Sequence, residues 1–193
     1  MNIEIHPLPP FLPPNAKVLM LGSFPPPKMR WKMDFYYPNF NNDMWRIMGL
    51  VFFADKDYFV DVEYKGFHQE RIERFLTDKG IAIFDAARSV VRLQDNASDK
   101  YLKVVEASDV AELLSQMPNC THIITTGEKA SEILLSDVGI MDIKPPQVGQ
   151  SVPLTILGRA VVLHRLPSSS RAYPLALTKK AAYYQAVFDE IFG

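Results

Sequence analysis

Short, mostly apolar runs alternate along the chain with longer stretches whose apolar residues recur at helical spacing. "KVLMLG" (Lys17–Gly22), "IAIFDA" (Ile81–Ala86), "THIITTG" (Thr121–Gly127) and "AVVLHRL" (Ala160–Leu166) are of the first kind. Runs this short and this apolar predict strands covered on both faces. Helical patterns lie between them. Met44, Ile47, Met48 and Val51 share one face of a helix starting near Asn41–Asn42. Ile72, Phe75 and Leu76 mark a second, in "HQERIERFLTDKG", with Gly80 as its stop. Ser108 is the predicted cap of a third, which turns Val110, Leu113, Leu114 and Met117 inward. "EKASEILLS" predicts a fourth, and Thr178 opens a fifth that packs Ala181, Tyr184, Phe188 and Ile191.

Strand and helix in alternation predict an α/β fold with a mainly parallel, four-stranded sheet. Ligands of such sheets bind beyond the carboxyl ends of the strands. That rule selects four loops: Ser23–Asn42, Asp85–Arg92, Thr126–Lys129 and Pro167–Arg171.

Composition narrows the classes. The length of 193 residues predicts a single domain spanning 1–193, since domains run to about 100–200 residues. Five of the fifteen prolines fall between His6 and Asn15, so residues 1–16 read as an extended leader rather than a core element. No apolar run approaches the ~18 residues of a membrane span, and no secretory pattern opens the chain. A soluble, cytoplasmic protein is expected. One cysteine, Cys120, excludes an internal disulfide and a Cys-rich metal site. The four histidines, His6, His68, His122 and His164, show no ligand spacing, so no metal and no cofactor is expected. A net charge of −1 sets against a strongly basic nucleic-acid binder, though not against one gripping a short stretch through loops and backbone amides.

The loops carry the candidate chemistry. The first, "SFPPPKMRWKMDFYYPNF", is long for a structureless connection, and long loops tend to be functional. Its prolines remove amide donors, so it is no phosphate-cradling nest. Tyr36 and Tyr37 either fold back on the core or offer faces for stacking a base. Asn42 caps the following helix or takes part in catalysis. Asp85 caps a turn or serves the site, and Thr126–Gly127 starts a helix or lines the pocket. Ser168, Ser169, Ser170 and Arg171 form a cap region or grip a polyanion such as a nucleic-acid backbone.

Taken in order, "VLMLGSFPPPKMR", "FYYPNFNNDMWRIM", "GIAIFDAARSVVR", "ITTGEKA" and "LPSSS" resemble the uracil-DNA glycosylase superfamily. Phe24 after "GS", the "FYY…W" spacing and Leu166 before "PSSS" are most similar to its hypoxanthine-DNA (deoxyinosine) glycosylase-like branch. The resemblance implies a three-layer α/β/α sandwich that flips one nucleotide into a pocket and hydrolyses its N-glycosidic bond. It implies that Tyr37 stacks on the flipped base and that Asp85 reads the base edge. Gly22, Ser23, Phe24, Tyr36, Asn39, Thr126 and Gly127 fall in the implied base pocket, and Asn42 is the implied residue that orients water. Pro167, Ser168, Ser169 and Ser170 match the segment that compresses the DNA backbone, and Arg171 follows where relatives fill the vacated stack. The implied partner is DNA containing a deaminated base, bound by a monomer.

The chain also departs from the superfamily. Phe24 stands where most members have a water-positioning Asp or Asn, a residue that the resembling branch lacks too. Asn39 and Phe40 replace a usual His-Pro, and Thr126 replaces a common Asn. A carboxylate at Asp85 repels uracil leaving as an anion but tolerates a purine leaving neutral after N7 protonation, so hypoxanthine is the expected preference. Two other readings stay open in the sequence. One is a catalytically silent DNA- or damage-binding protein. The other is a hydrolase using Ser23, His164 and Asp85, although no GxSxG elbow is present.

Overall fold

The structure is a computed structural model that describes residues 2–93 and 99–193. Its strands are β1 (Ile3–Ile5), β2 (Val18–Gly22), β3 (Val60–Asp61), β4 (Gly66–Phe67), β5 (Ile81–Asp85), β6 (Ala87–Arg92), β7 (Leu102–Ala107), β8 (His122–Thr125), β9 (Ser151–Ile156) and β10 (Arg159–Arg165). Its helices are α1 (Met44–Phe53), α2 (Gln69–Lys79), α3 (Val110–Ser115), α4 (Glu128–Asp137) and α5 (Leu177–Phe192). Together they form an α/β/α-type sandwich with mixed sheets.

The main sheet runs β5-β2-β8-β10-β9. β2 and β5 are buried at every residue, as strands covered on both faces must be. β5, β2, β8 and β10 are parallel, and their register ends them at one level: Gly22 pairs with Asp85, and Leu21 and Arg165 both pair with Thr125. That alignment gathers the loops after four strands on one rim.

The sheet has five strands rather than the expected four, because β9 adds an antiparallel edge beside β10. Pro153 sits within β9, and an edge strand tolerates its missing donor. Leu157 and Gly158 turn the hairpin with positive φ values of 49° and 77°. The stretch after Asp85 is not a loop either. It continues as β6, the middle strand of a three-stranded antiparallel sheet with β1 and β7.

The proline-rich N-terminal segment is built into this framework rather than trailing from it. Ile3–Ile5 pairs with β6, and Arg92 meets Glu4 through two contacts of 3.0 Å. Phe11 exchanges backbone hydrogen bonds with Ile83 at 3.0 and 2.9 Å, which covers the free edge of β5. Prolines suit such edge-hugging chain because they donate nothing to a ladder.

On the helical side, the Phe52 ring of α1 lies 4.9 Å from Phe75 of α2 and 5.1 Å from Phe188 of α5. α4 packs Ala130 and Ile133 against Ala86, Val90 and Leu102 of the small sheet. The α3 cap is Asp109, which accepts from Glu112 N, and not Ser108. Ser108 is buried and donates to the Asp85 carbonyl at 2.7 Å. α5 begins at Leu177, one residue before Thr178. No helix among the described residues is long and apolar enough to cross a membrane.

Two histidines without ligand spacing in sequence meet in space. His122 Nδ1 lies 3.0 Å from His164 Nε2, and with Glu190 of α5 their ligand atoms fall within 4.8 Å of one another. Burial holds both imidazoles below their ordinary value, against an opposing pull from Glu190. An unfolded chain regains the usual histidine value near 6.5, so it binds protons that the folded chain resists. Stability should therefore be complete above that value and decline as pH falls below about 6.5. Thermal melts across this window should show the decline, reduced in a His122→Asn/His164→Asn variant.

Candidate active site

A cleft of about 790 Å³ opens at the aligned strand ends. Its lining includes Gly22, Ser23, Phe24, Tyr36, Tyr37, Asn39, Asn42, Asp85, Thr126, Gly127, Ser168, Ser169 and Ser170, so residues from all four selected loops meet in one cavity. Pro167 and Arg171 are not among the lining residues.

The first loop is fastened from several sides. Trp45 of α1 donates its indole N–H to the Tyr36 carbonyl at 3.1 Å, and Arg46 reaches the carbonyls of Phe40 and Asn42 at 2.9 and 3.2 Å. The two tyrosines divide the alternatives between them. Tyr36 is 3% exposed and donates to the Pro9 carbonyl at 2.8 Å, so it belongs to the core and not to an open stacking face. Burial raises its phenol above the ordinary range, and the charge of Asp85 adds to this. Tyr37 stays half-buried, with its hydroxyl 3.0 Å from Thr126 Oγ1 and its ring edge-on to Trp45. Its φ of 50° is uncommon for a non-glycine residue, and such strain is held only where surrounding contacts fix it.

Gly22 explains how close these groups come. A Cβ on Gly22 would lie 2.4 Å from Asp85 Oδ1 and 3.3 Å from the Tyr37 hydroxyl. The floor of the cleft therefore exists only with a glycine there.

Asp85 is deeply buried and has a partner that the sequence did not single out. Its Oδ2 lies 2.9 Å from His6 Nε2, and the two side chains are 8% and 2% exposed. The hydrolase reading fails at this point. The imidazole that reaches Asp85 is His6, and its other nitrogen faces Leu8. The His164 ring pairs with His122 instead. Cys120 is buried, which lifts its thiol to about 11 and leaves it inert at neutral pH.

The N-cap position of α1 is Asp43, but Asn42 just before it does a cap's work, because its Oδ1 accepts from Met44 N at 2.9 Å. The side chain also lines the cleft, and the amide group and a second lone pair stay available for water. Cap and cleft wall are thus one residue.

The serine loop is held by a clasp that sequence reasoning missed. Asp43, at the start of α1, accepts from Arg171 Nε at 2.9 Å and from Lys180 Nζ at 3.3 Å. Lys180, 1% exposed in the first turn of α5, also donates to the Ser170 carbonyl at 2.8 Å. Asp43 N meets the Ser169 carbonyl at 2.9 Å, and Asn42 bridges to Ser170. Ser169 is buried and serves this backbone contact rather than offering an exposed hydroxyl. Ser168 and Ser170 each accept from a backbone N–H two residues on, at 3.2 Å, which leaves their own O–H free to donate outward. Arg171, placed by the resemblance as a filler of the vacated stack, is tied to Asp43 and lies outside the cleft lining. Arg30, Lys100, Lys129 and Arg165 line the cleft together with Glu128 and Glu132, which pair with Arg165 and Lys129 at 3.6 and 3.8 Å.

No family model matches the chain. A hypoxanthine DNA glycosylase from Methanosarcina barkeri (strain Fusaro / DSM 804) is 27% identical over 124 residues, covering 64% of this chain and 72% of that protein. This similarity agrees with the resemblance to the uracil-DNA glycosylase superfamily carried by the sequence motifs. Its fold agrees with the solution NMR structure of a protein from Methanosarcina acetivorans, provisionally designated a uracil DNA glycosylase. The two match over 100% of both chains with a TM-score of 0.66 and 22% identity.

Proposed function

We propose that this protein is a monofunctional DNA N-glycosylase that hydrolyses the glycosidic bond of a flipped, deaminated base, with hypoxanthine preferred over uracil. The observation that carries this reading is the convergence of Tyr37, Asn42, Asp85 and Ser168 on one cleft at the strand ends. The similarity to a protein named for hypoxanthine release adds to it.

In this reading the extruded base stacks against Tyr37 and presents its N1–H to Asp85. Burial of the carboxylate makes that acceptor strong. As the bond breaks, the sugar becomes oxocarbenium-like and a purine that has taken a proton from solvent on N7 departs neutral, and the water that bonds to the sugar carbon returns a proton to solvent. Asn42 holds the water that adds to the sugar, and no metal or cofactor is needed. Ser168 and Ser170 hydroxyls donate to backbone phosphates, which positions DNA without reading sequence. Phe24, packed between the cleft and the small sheet, shapes the pocket and takes no part in proton transfer.

Asn42→Ala separates catalysis from binding. It should lower base release about 100-fold, the scale of a reacting group left misplaced. Loss of the cap should cost about 1 kcal/mol of stability. Affinity for lesion-bearing DNA should change little. Abasic-site formation and an equilibrium binding assay on the same oligonucleotides check this. If the unmodified protein binds such DNA but releases no base from any substrate, the silent-binder reading takes over.

A further inference from the structure

We infer that His6, carried in by the N-terminal segment, is a positioning residue that locks the orientation of the Asp85 carboxylate and so sets the base preference of the cleft. This rests on the reading of the cleft as a base pocket.

His6 is held on every side. Its backbone N–H extends the β1–β6 pairing by donating to the Arg88 carbonyl at 2.8 Å. Its ring lies 4.7 Å from Phe84, 5.5 Å from Phe24 and 6.0 Å from Tyr36. Nδ1 faces the Leu8 backbone, and Nε2 faces Asp85 Oδ2 at 2.9 Å. A nitrogen facing a carboxylate oxygen at that distance carries the hydrogen. His6 is not part of the cleft lining, so it acts through Asp85 rather than on a bound base.

The consequence is geometric. With Oδ2 taken by His6, Asp85 cannot rotate without leaving a buried donor and acceptor unpaired, which is costly. Oδ1 is left beside Gly22, and both residues line the cleft. A base edge therefore meets one acceptor of fixed direction. The N1–H of hypoxanthine is flanked by a carbonyl on one side and by C2–H on the other, so it can approach with its C–H side toward the carboxylate. The N3–H of uracil is flanked by carbonyls on both sides, and one of them must face the fixed carboxylate. A rotating carboxylate would relax this difference. A pinned one enforces it.

His6→Gln and His6→Asn give the test, each assayed alone and in an Asp85→Asn background. The Gln amide extends to where Nε2 stands, whereas the Asn amide stops a bond short. Both remove the ring, so a merely structural role would affect the two alike. His6→Asn should lower single-turnover hypoxanthine release at least about tenfold, the scale of one lost charge-assisted hydrogen bond, and should shrink the hypoxanthine-to-uracil ratio by a similar factor. His6→Gln should recover most of both. In the Asp85→Asn background, the two His6 variants should differ less than about twofold. Equal behaviour of the variants in the native background, or an unchanged base ratio in His6→Asn, overturns the assignment of His6. Absence of base release by the unmodified protein overturns the pocket reading itself.

Discussion

Gly22→Ala should abolish most base release, by at least about 100-fold, or about 2.7 kcal/mol of transition-state stabilisation. The added Cβ falls 2.4 Å from Asp85 Oδ1, well inside contact distance. Asp85 cannot simply step aside, because His6 holds its other oxygen and Ser108 holds its carbonyl. Nor can the glycine move, since β2 is paired on both sides by β5 and β8. The strain must go into the carboxylate–imidazole contact or into Tyr37, whose hydroxyl is the next atom met at 3.3 Å. Either displacement spoils the floor of the pocket. Overpacking of this kind typically costs 1–3 kcal/mol, roughly, so a lower melting temperature should accompany the loss. Single-turnover abasic-site formation beside a thermal melt measures both. Release at the native rate would mean that Asp85 and Tyr37 are not needed where they stand.

The second large effect is expected from Asp85→Asn, and it is a change of preference rather than a simple loss. His6 Nε2–H still requires an acceptor, so the new amide must turn its oxygen toward His6 and its NH2 toward the cleft. The floor then offers a donor in place of an acceptor. Hypoxanthine loses the partner of its N1–H, and its release should fall at least about tenfold. Uracil gains a donor for the oxygen on which its leaving negative charge collects, and repulsion from a carboxylate is gone. Two unit charges 4 Å apart interact with about 4 kcal/mol at an effective dielectric of 20, so even a fraction of that term gives a tenfold rise in uracil release. The ratio of the two rates should shift by about 100-fold in total. Paired oligonucleotides differing only in the lesion measure it.

The parallel strands were legible because each has a short apolar centre and stops at a polar residue or turn former. The rule for strand ends then selected the loops that meet at the cleft, without any knowledge of packing. What escaped notice did so for physical reasons. β9 mixes polar residues with Pro153, which reads against a strand unless the strand lies on an edge. The N-terminal prolines argued for a leader, yet a chain that only covers an edge and delivers one side chain has no need of periodicity. Lys180 sits on a helix whose lysines read as solvated, and only the fold brings it to Asp43. His6 lies 79 residues from Asp85 in sequence, and no spacing rule joins them. Ser108 and Asp109 are adjacent cap formers, and their roles separate only once the Asp85 carbonyl is in place to accept from Ser108.

The central claim is that the cleft takes an extruded nucleotide and that its buried carboxylate favours a base leaving neutral. The most direct test is single-turnover abasic-site formation by the unmodified protein on two duplexes identical except for one hypoxanthine or one uracil. The hypoxanthine strand should give abasic sites at a clearly higher rate. Equal or faster release of uracil would contradict it.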